Sequence, residues 1–379
     1  MAIIIPTLGK CSDLENQFSE KLTTSQVAAG IASTIFGAGI VTLPRTASEA
    51  IGTPDVWMSL LLGGSISIGL GIICTKLCLR YPGHTFYEYS PQVTGKLMGN
   101  LLNLCFVIYC LLVATYELRM NAEVIRHYLL ERTPIEFTSL CFMLISTYLV
   151  VGGINPIARI MELLLPITTI VILGVMLLGY RNFELDNLRP LLSEGIMPVM
   201  KGLQATATPF IGFEAILFFA AFMRASKNSG KAVVIGITIP IIIYLCTLLI
   251  VIGNLSVEAV KTLTWPTIEV IRNIEFPGAF FTNFEILFIA VWVIEMFTTF
   301  VVFYYLASLG MNQMFRKPIN FFHYGFFPVI YFMSFYPSNL DEAFKLGDIV
   351  GYLAMIFAGV IPLILLLISY LKDGWRDEK

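Results

Sequence analysis

The sequence predicts an all-α integral membrane protein of ten transmembrane helices, arranged as two inverted five-helix repeats with interrupted helices 1 and 6. Three observations predict it. The 379 residues are 57% hydrophobic and 13% charged, with a mean hydropathy of +0.80, whereas a soluble domain carries about 25% charged residues. Apolar runs recur at the length a bilayer demands, about 20 residues at ~1.5 Å each for a ~30 Å hydrocarbon layer. Two of these runs are broken at matching places, with Gly37 and Phe210 lying 173 positions apart. Such a pair of broken segments marks a binding site of the transporter kind.

The ten spans are drawn at 24–44, 56–78, 99–119, 136–152, 157–179, 197–223, 232–253, 281–309, 320–336 and 343–371. The ninth is short and aromatic, with Phe321, Phe322, Tyr324, Phe326 and Phe327. The eighth and tenth are long and imply tilt or extension beyond the bilayer. Residues 24–371 form one membrane domain, with repeat one at about 24–179 and repeat two at about 197–371. Five spans is an odd number, so the second repeat enters the membrane in the opposite sense. Orientation follows from Lys and Arg in the connections. The loops 224–231 and 316–317 are basic without an acid, while the other side collects Glu184, Asp186, Glu194, Asp341, Glu342 and Asp348. Residues 1–23 and 372–379 are therefore expected to be cytoplasmic tails, as an even span count requires.

Several function classes lack support. No basic patch with interleaved aromatics appears, so the expected surroundings are lipid bilayer and not nucleic acid. Cys74 and Cys78 lie one helical turn apart, but no His or further Cys completes a metal site, and seven cysteines do not make a full disulfide framework. Phosphate-loop, dinucleotide, nucleophile-elbow and zinc-helix patterns are all missing, so neither an enzyme nor a cofactor is expected.

The chemistry is expected at the breaks. Bilayer interior offers no water to backbone groups, so an interrupted helix is tolerable only around a cavity or ligand. The first break is Phe36-Gly37-Ala38-Gly39-Ile40. There the glycines let the backbone unwind and approach a ligand, whose ammonium or carboxylate would satisfy the loose C=O and N–H groups. Taken alone, close helix packing explains the same small residues. The second break is Thr208-Pro209-Phe210-Ile211-Gly212-Phe213-Glu214, where Pro209 removes a backbone donor. Glu214 is a carboxylate at membrane depth, costing roughly 2.5 kcal/mol or more unless protonated or paired. It is read as a site or gating residue, or else as a structural acid accepting hydrogen bonds from the unwound neighbour.

By the same cost Glu295, mid-way along the eighth span, faces the bundle interior. Thr298 and Thr299 beside it offer hydroxyls to a ligand or cation, or bond their own i−4 carbonyls. Tyr109 in the third span stands at a depth suited to a central cavity, or to a core-facing ring. Beyond it Glu117, Arg119, Glu123 and Arg126 follow at helical spacing. They are read as an extracellular helix extension whose ion pairs lie on a solvated face.

The string Phe36 to Pro44 resembles the Gly-Ala-Gly-Ile element of the amino acid–polyamine–organocation permeases, and Phe210 to Glu214 resembles their Phe-x-Gly-Phe-Glu/Asp element. A closer resemblance runs over nearly the whole chain, to the spore-germination permeases that form the B subunit of GerA-type nutrient receptors. It is carried by Leu101 to Leu104, Tyr116 to Arg119 with Glu123, Gly153 to Pro166, Asn182 to Leu192 and Gly195 to Gly202. The resemblance implies a sensor of a small germinant, usually an amino acid, sugar or nucleoside, in the inner membrane of a bacterial endospore. It also implies partners, an A subunit and a lipoprotein C subunit. The superfamily's substrate site falls on Phe36, Gly37, Ala38, Gly39 and Ile40 with Phe210, Ile211, Gly212 and Glu214. A Lys that serves proton coupling in some relatives has no counterpart in the fifth span, where Thr168 and Thr169 stand. The alternative function is a secondary amino acid transporter, proton-coupled through Glu214 or Glu295. A weaker third is a ligand-opened ion channel.

Overall fold

The structure is a computed structural model that describes residues 21–273 and 284–377. Most of the expected N-terminal tail, the end of the C-terminal tail and the start of the eighth span lie outside the described residues. Helices dominate, and the described residues hold no β-strand beyond one isolated bridge between Leu22 and Met223.

Helix α1 (Thr24–Ile35) starts at a capping box, in which Thr23 and Gln26 exchange side-chain and backbone hydrogen bonds. Three residues later α2 (Gly39–Ile51) continues at a 52° bend and stops at Gly52, whose φ of 77° suits a left-handed cap. Then come α3 (Val56–Arg80), the short α4 (Phe86–Thr94), α5 (Lys96–Tyr128), α6 (Ile135–Val151) and α7 (Ile154–Leu178). The second broken segment is made of fragments, α8 (Met197–Lys201), α9 (Leu203–Ala207) and α10 (Ile216–Phe219), linked by tight helical turns and bent by 42°. It is followed by α11 (Ser229–Thr262), α12 (Pro266–Arg272), α13 (Phe284–Phe315), α14 (Ile319–Ser334), α15 (Leu340–Ala354) and α16 (Ile361–Asp377), the last two joined by a π-turn at Met355–Val360.

Six of these helices are long and apolar enough to cross a membrane, or up to eight if each bent pair is one span. Helices α6 and α14 occupy the expected fourth and ninth spans with 17 and 16 residues, short of the ~20 that a full crossing takes. Several boundaries move. The third span was drawn to end at residue 119, yet α5 runs unbroken through Tyr128 for 33 residues. Pro44, Pro166, Pro240 and Pro328 sit inside helices and do not end them.

Helix α5 packs against α13 and α15, and α11 packs along α1, α2 and α3. An aromatic core fills the space beneath the second break. Phe106 touches Phe86, Tyr109, Phe218 and Phe357, with ring centroids 5.1 to 5.6 Å apart, inside the range of favourable ring pairs. Tyr109 also stacks on Phe357 of the π-turn at 5.2 Å.

Candidate functional site

The two breaks lie against each other, and their glycines are there mainly for space. A Cβ on Gly39 would stand 2.8 Å from the Tyr244 hydroxyl and 3.1 Å from Pro209 Cβ. One on Gly212 would stand 2.6 Å from the Thr34 carbonyl oxygen, and Gly212 also holds φ at 121°. Gly37 and Gly39, by contrast, are not among the residues with positive φ. At the first break close packing, the alternative to unwinding, therefore accounts for the small residues. Phe36 and Ala38 keep right-handed helical angles, so this break is a sharp kink. The second is a true interruption, with Ile211 extended at ψ 135° before Gly212.

Most loosened backbone groups are met by the protein's own side chains, which corrects the expectation that a guest satisfies them. The Tyr244 hydroxyl donates to the Ile35 carbonyl at 2.8 Å, and Trp292 Nε1 donates to the Gly37 carbonyl at 3.2 Å. Thr299 donates to the carbonyls of Ser33 and Thr34 at 3.1 and 3.2 Å. Thr298 reaches the Ser33 carbonyl at 3.4 Å and bonds Glu295 O at 2.7 Å. The Thr pair thus clamps α13 to the end of α1. Gly212 N–H donates to Glu214 Oε2 at 2.9 Å. No hydrogen bond at the first break uses the N–H of Gly37 or Gly39.

A cavity of about 810 Å3 ends on this kink. Gly37, Ala38, Gly39, Ile211 and Thr299 border it, as do Thr34, Thr42, Pro209 and Phe303. Its mouth is polar, with Arg45, Glu49, Lys201, Gln204 and Lys345. At the opposite end the molecule is fastened. Leu22 N–H donates to the Phe222 carbonyl at 2.8 Å and Arg224 N–H to the Leu22 carbonyl at 2.9 Å, tying the start of α1 to the end of the second broken segment.

Eight of the expected site residues do not border this cavity: Phe36, Ile40, Tyr109, Phe210, Gly212, Glu214, Glu295 and Thr298. They are packed core. Glu214 is fully buried; its Oε1 accepts from Tyr109 at 2.5 Å and its Oε2 from the unwound Gly212 N–H at 2.9 Å, the bonding expected of a structural acid. Glu295 accepts from the Thr168 hydroxyl, and its Oε2 has no partner. The two acids belong to separate clusters, Glu214 with Tyr109 and Gly212, and Glu295 with Thr168.

One residue of the cavity wall was misread from sequence. Glu117 was assigned to a solvated face, yet Glu117, Arg119 and Glu123 are 5%, 5% and 3% exposed. The cause is the length of α5, which packs against α13 and α15 and has residues 117–124 covered, with Arg126 and His127 exposed only in its last turn. Glu117 Oε1 accepts the Ala38 N–H at 3.3 Å, and Oε2 is buried without a partner. The carboxylate occupies the place where a side chain on Gly37 would stand, 2.5 Å from that Cβ position. A helical signal did exist: Glu117 follows Tyr109, Cys110 and Val113 at intervals of eight, seven and four, on one face.

The profile of the spore germination protein family matches residues 21–343. Spore germination protein YndE of Bacillus subtilis (strain 168) is 40% identical over 361 residues, covering 95% of this chain and 99% of its own. Spore germination protein A2 of the same organism is 34% identical over 358 residues, covering 94% and 98%. Among solved structures, MhsT in complex with L-phenylalanine superposes with a TM-score of 0.65 at 13% identity, over 92% of this chain and 97% of the other. At that identity the likeness concerns the fold alone. Mhp1, a nucleobase-cation-symport-1 family transporter, superposes likewise, with a TM-score of 0.64 at 14% identity, over 92% of this chain and 78% of the other.

Proposed function

The chain belongs to the spore germination protein family, and from that premise we propose that it is the membrane subunit of a nutrient germinant receptor. It binds a small germinant carrying an ammonium group, an amino acid, in the cavity at the first kink. One observation carries the choice of ligand. A buried carboxylate, Glu117, faces that cavity with one oxygen unpaired. An unpaired buried charge is expensive, and a cation arriving from solvent offsets that cost. The ammonium pairs with Glu117 Oε2, while the N–H groups of Gly37 and Gly39 at the start of α2 take the carboxylate. Binding at the hinge between α1 and α2 favours one bend of that pair over another, and this differential is what partner subunits read.

The reading includes ten spans in two inverted repeats, with the kinked pairs at 52° and 42° as first helices of each. Both termini face the cytoplasm, so the cavity mouth faces outward from the endospore inner membrane. The partners are an A subunit and a lipoprotein C subunit, and no catalysis is involved. Calorimetric titration of the purified chain with a panel of amino acids, sugars and nucleosides tests it. An amino acid should bind, and Glu117→Gln should weaken it about tenfold or more, the worth of one charge-assisted bond. Unaltered affinity in Glu117→Gln, or binding confined to uncharged sugars, would overturn the assignment.

Secondary transport remains the second reading, favoured by the fold shared with the transporter Mhp1. Uptake of the bound amino acid into proteoliposomes, lost in Glu295→Gln, supports transport. Binding without flux supports the receptor.

A further inference from the structure

A second cavity, of about 490 Å3, opens at the far end of α5 between the α5–α6 and α14–α15 connections. Arg119, Arg126, Arg132, Glu131, Glu136 and Ser338 are in its wall. Its guanidinium groups stand against the carboxylates of Glu131 and Glu136 in the wall and of the adjoining Glu123. The Glu123 carboxylate serves two guanidinium groups at once, Arg119 at 2.7 Å and Arg126 at 2.6 Å. Arg119 and Glu123 form a buried pair, their side chains 6% and 4% exposed, while the Arg126 side chain is 49% exposed.

Further, Arg119 Nε is buried with no hydrogen-bond partner. The neighbours do not supply one. Ser338 gives both its N–H and its hydroxyl to Glu342, at 2.8 and 2.9 Å. Glu131 and Glu136 are exposed, and neither forms an ion pair among the described residues. Arg132, in the wall of the same cavity, is exposed and forms no ion pair among the described residues.

We propose that this cavity is an oxyanion site that takes a phosphate-type group between Arg119 and Arg132. Guanidinium forks match tetrahedral oxyanions through paired N–H donors, and such bonds are the strong, charge-assisted kind. An incoming oxyanion gives the buried Arg119 Nε the acceptor it lacks. Exposed aromatics flank the connections, Phe137 at 60% and Tyr336 at 89%, as rings do at the headgroup level of a bilayer. The group therefore has two sources, a phospholipid headgroup or free phosphate.

The test uses the full chain in neutral detergent, titrated with inorganic phosphate against chloride at equal ionic strength, with thermal unfolding as the readout. A second arm places it in nanodiscs of phosphatidylglycerol or of phosphatidylcholine. Phosphate should stabilise the wild type beyond chloride, and Arg132→Gln should raise the half-saturating concentration about tenfold. Arg119→Gln should abolish the response; if that variant fails to fold, the surface variant Arg132→Gln decides alone. A headgroup source is identified by stabilisation in phosphatidylglycerol that free phosphate no longer increases. A free source is identified by an equal phosphate response in both discs. Equal responses to phosphate and chloride together with no lipid preference overturn the proposal. So does a phosphate response that Arg132→Gln leaves unchanged.

Discussion

Replacing Gly37 with Ala separates the two reasons for a glycine at the kink. The new Cβ would stand 2.5 Å from Glu117 Oε1 and 2.9 Å from its Cδ and Oε2. These atoms are the free end of a side chain, so the clash is relieved when the carboxyl retreats by about 1 Å to ordinary contact. The Oε1 to Ala38 N bond, already 3.3 Å, does not survive that retreat. A hydrogen bond to a charged group contributes about 1.5–3 kcal/mol, and at this length the lower end applies. The same movement withdraws Oε2 from a bound ammonium. About 1.5 kcal/mol corresponds to roughly a tenfold rise in Kd for the amino acid, with the fold intact. Titration calorimetry on Gly37→Ala, Glu117→Gln and the double variant measures it. Because both changes act through one carboxylate, the double variant should be little weaker than Glu117→Gln alone. If the two losses multiply, or if Gly37→Ala binds like the wild type, the coupling of Gly37 to the ligand through Glu117 is refuted.

Other substitutions report on the surroundings. Gly212→Ala meets backbone on the far side, 2.6 Å from the Thr34 carbonyl oxygen, at a φ of 121°; strain and overpacking together cost about 2–6 kcal/mol, so little folded protein should be recovered by size-exclusion chromatography. Tyr109→Phe removes the 2.5 Å donor to buried Glu214 and should lower unfolding stability by about 1–3 kcal/mol. Because Tyr109 does not border the cavity, amino acid affinity in that variant should stay within about twofold of wild type. Thr299→Val deletes the hydroxyl that holds the Ser33 and Thr34 carbonyls, a loss of about 1–2 kcal/mol visible as faster hydrogen exchange at the end of α1.

Membrane residence, the two breaks and the family were legible without coordinates, because each rests on local features. An apolar run of fixed length, a Pro209 three residues ahead of Gly212, and a Gly-Ala-Gly string carry their meaning in a few neighbouring residues. The bilayer enforces this, since a span must satisfy its backbone within itself. What the glycines do there was not legible. Whether Gly37 supplies backbone freedom or room depends on what stands opposite, and the carboxylate opposite is 80 residues further on.

The partition of the acids was decided only in three dimensions. Glu117, Arg119, Glu123 and Arg126 have the spacing of a surface helix, and charge pairing at i, i+3 and i+4 looks alike in water and in protein. Sequence alone determined that carboxylates lie along the third, sixth and eighth segments. Tertiary packing determined that residues 117–124 of α5 are covered, that Glu214 and Glu295 accept from Tyr109 and Thr168 in the core, and that Glu117, with its Oε2 unpartnered, borders the cavity. The physical reason is that burial belongs to neighbours distant in the chain, and no periodicity within one helix records how far its partners extend.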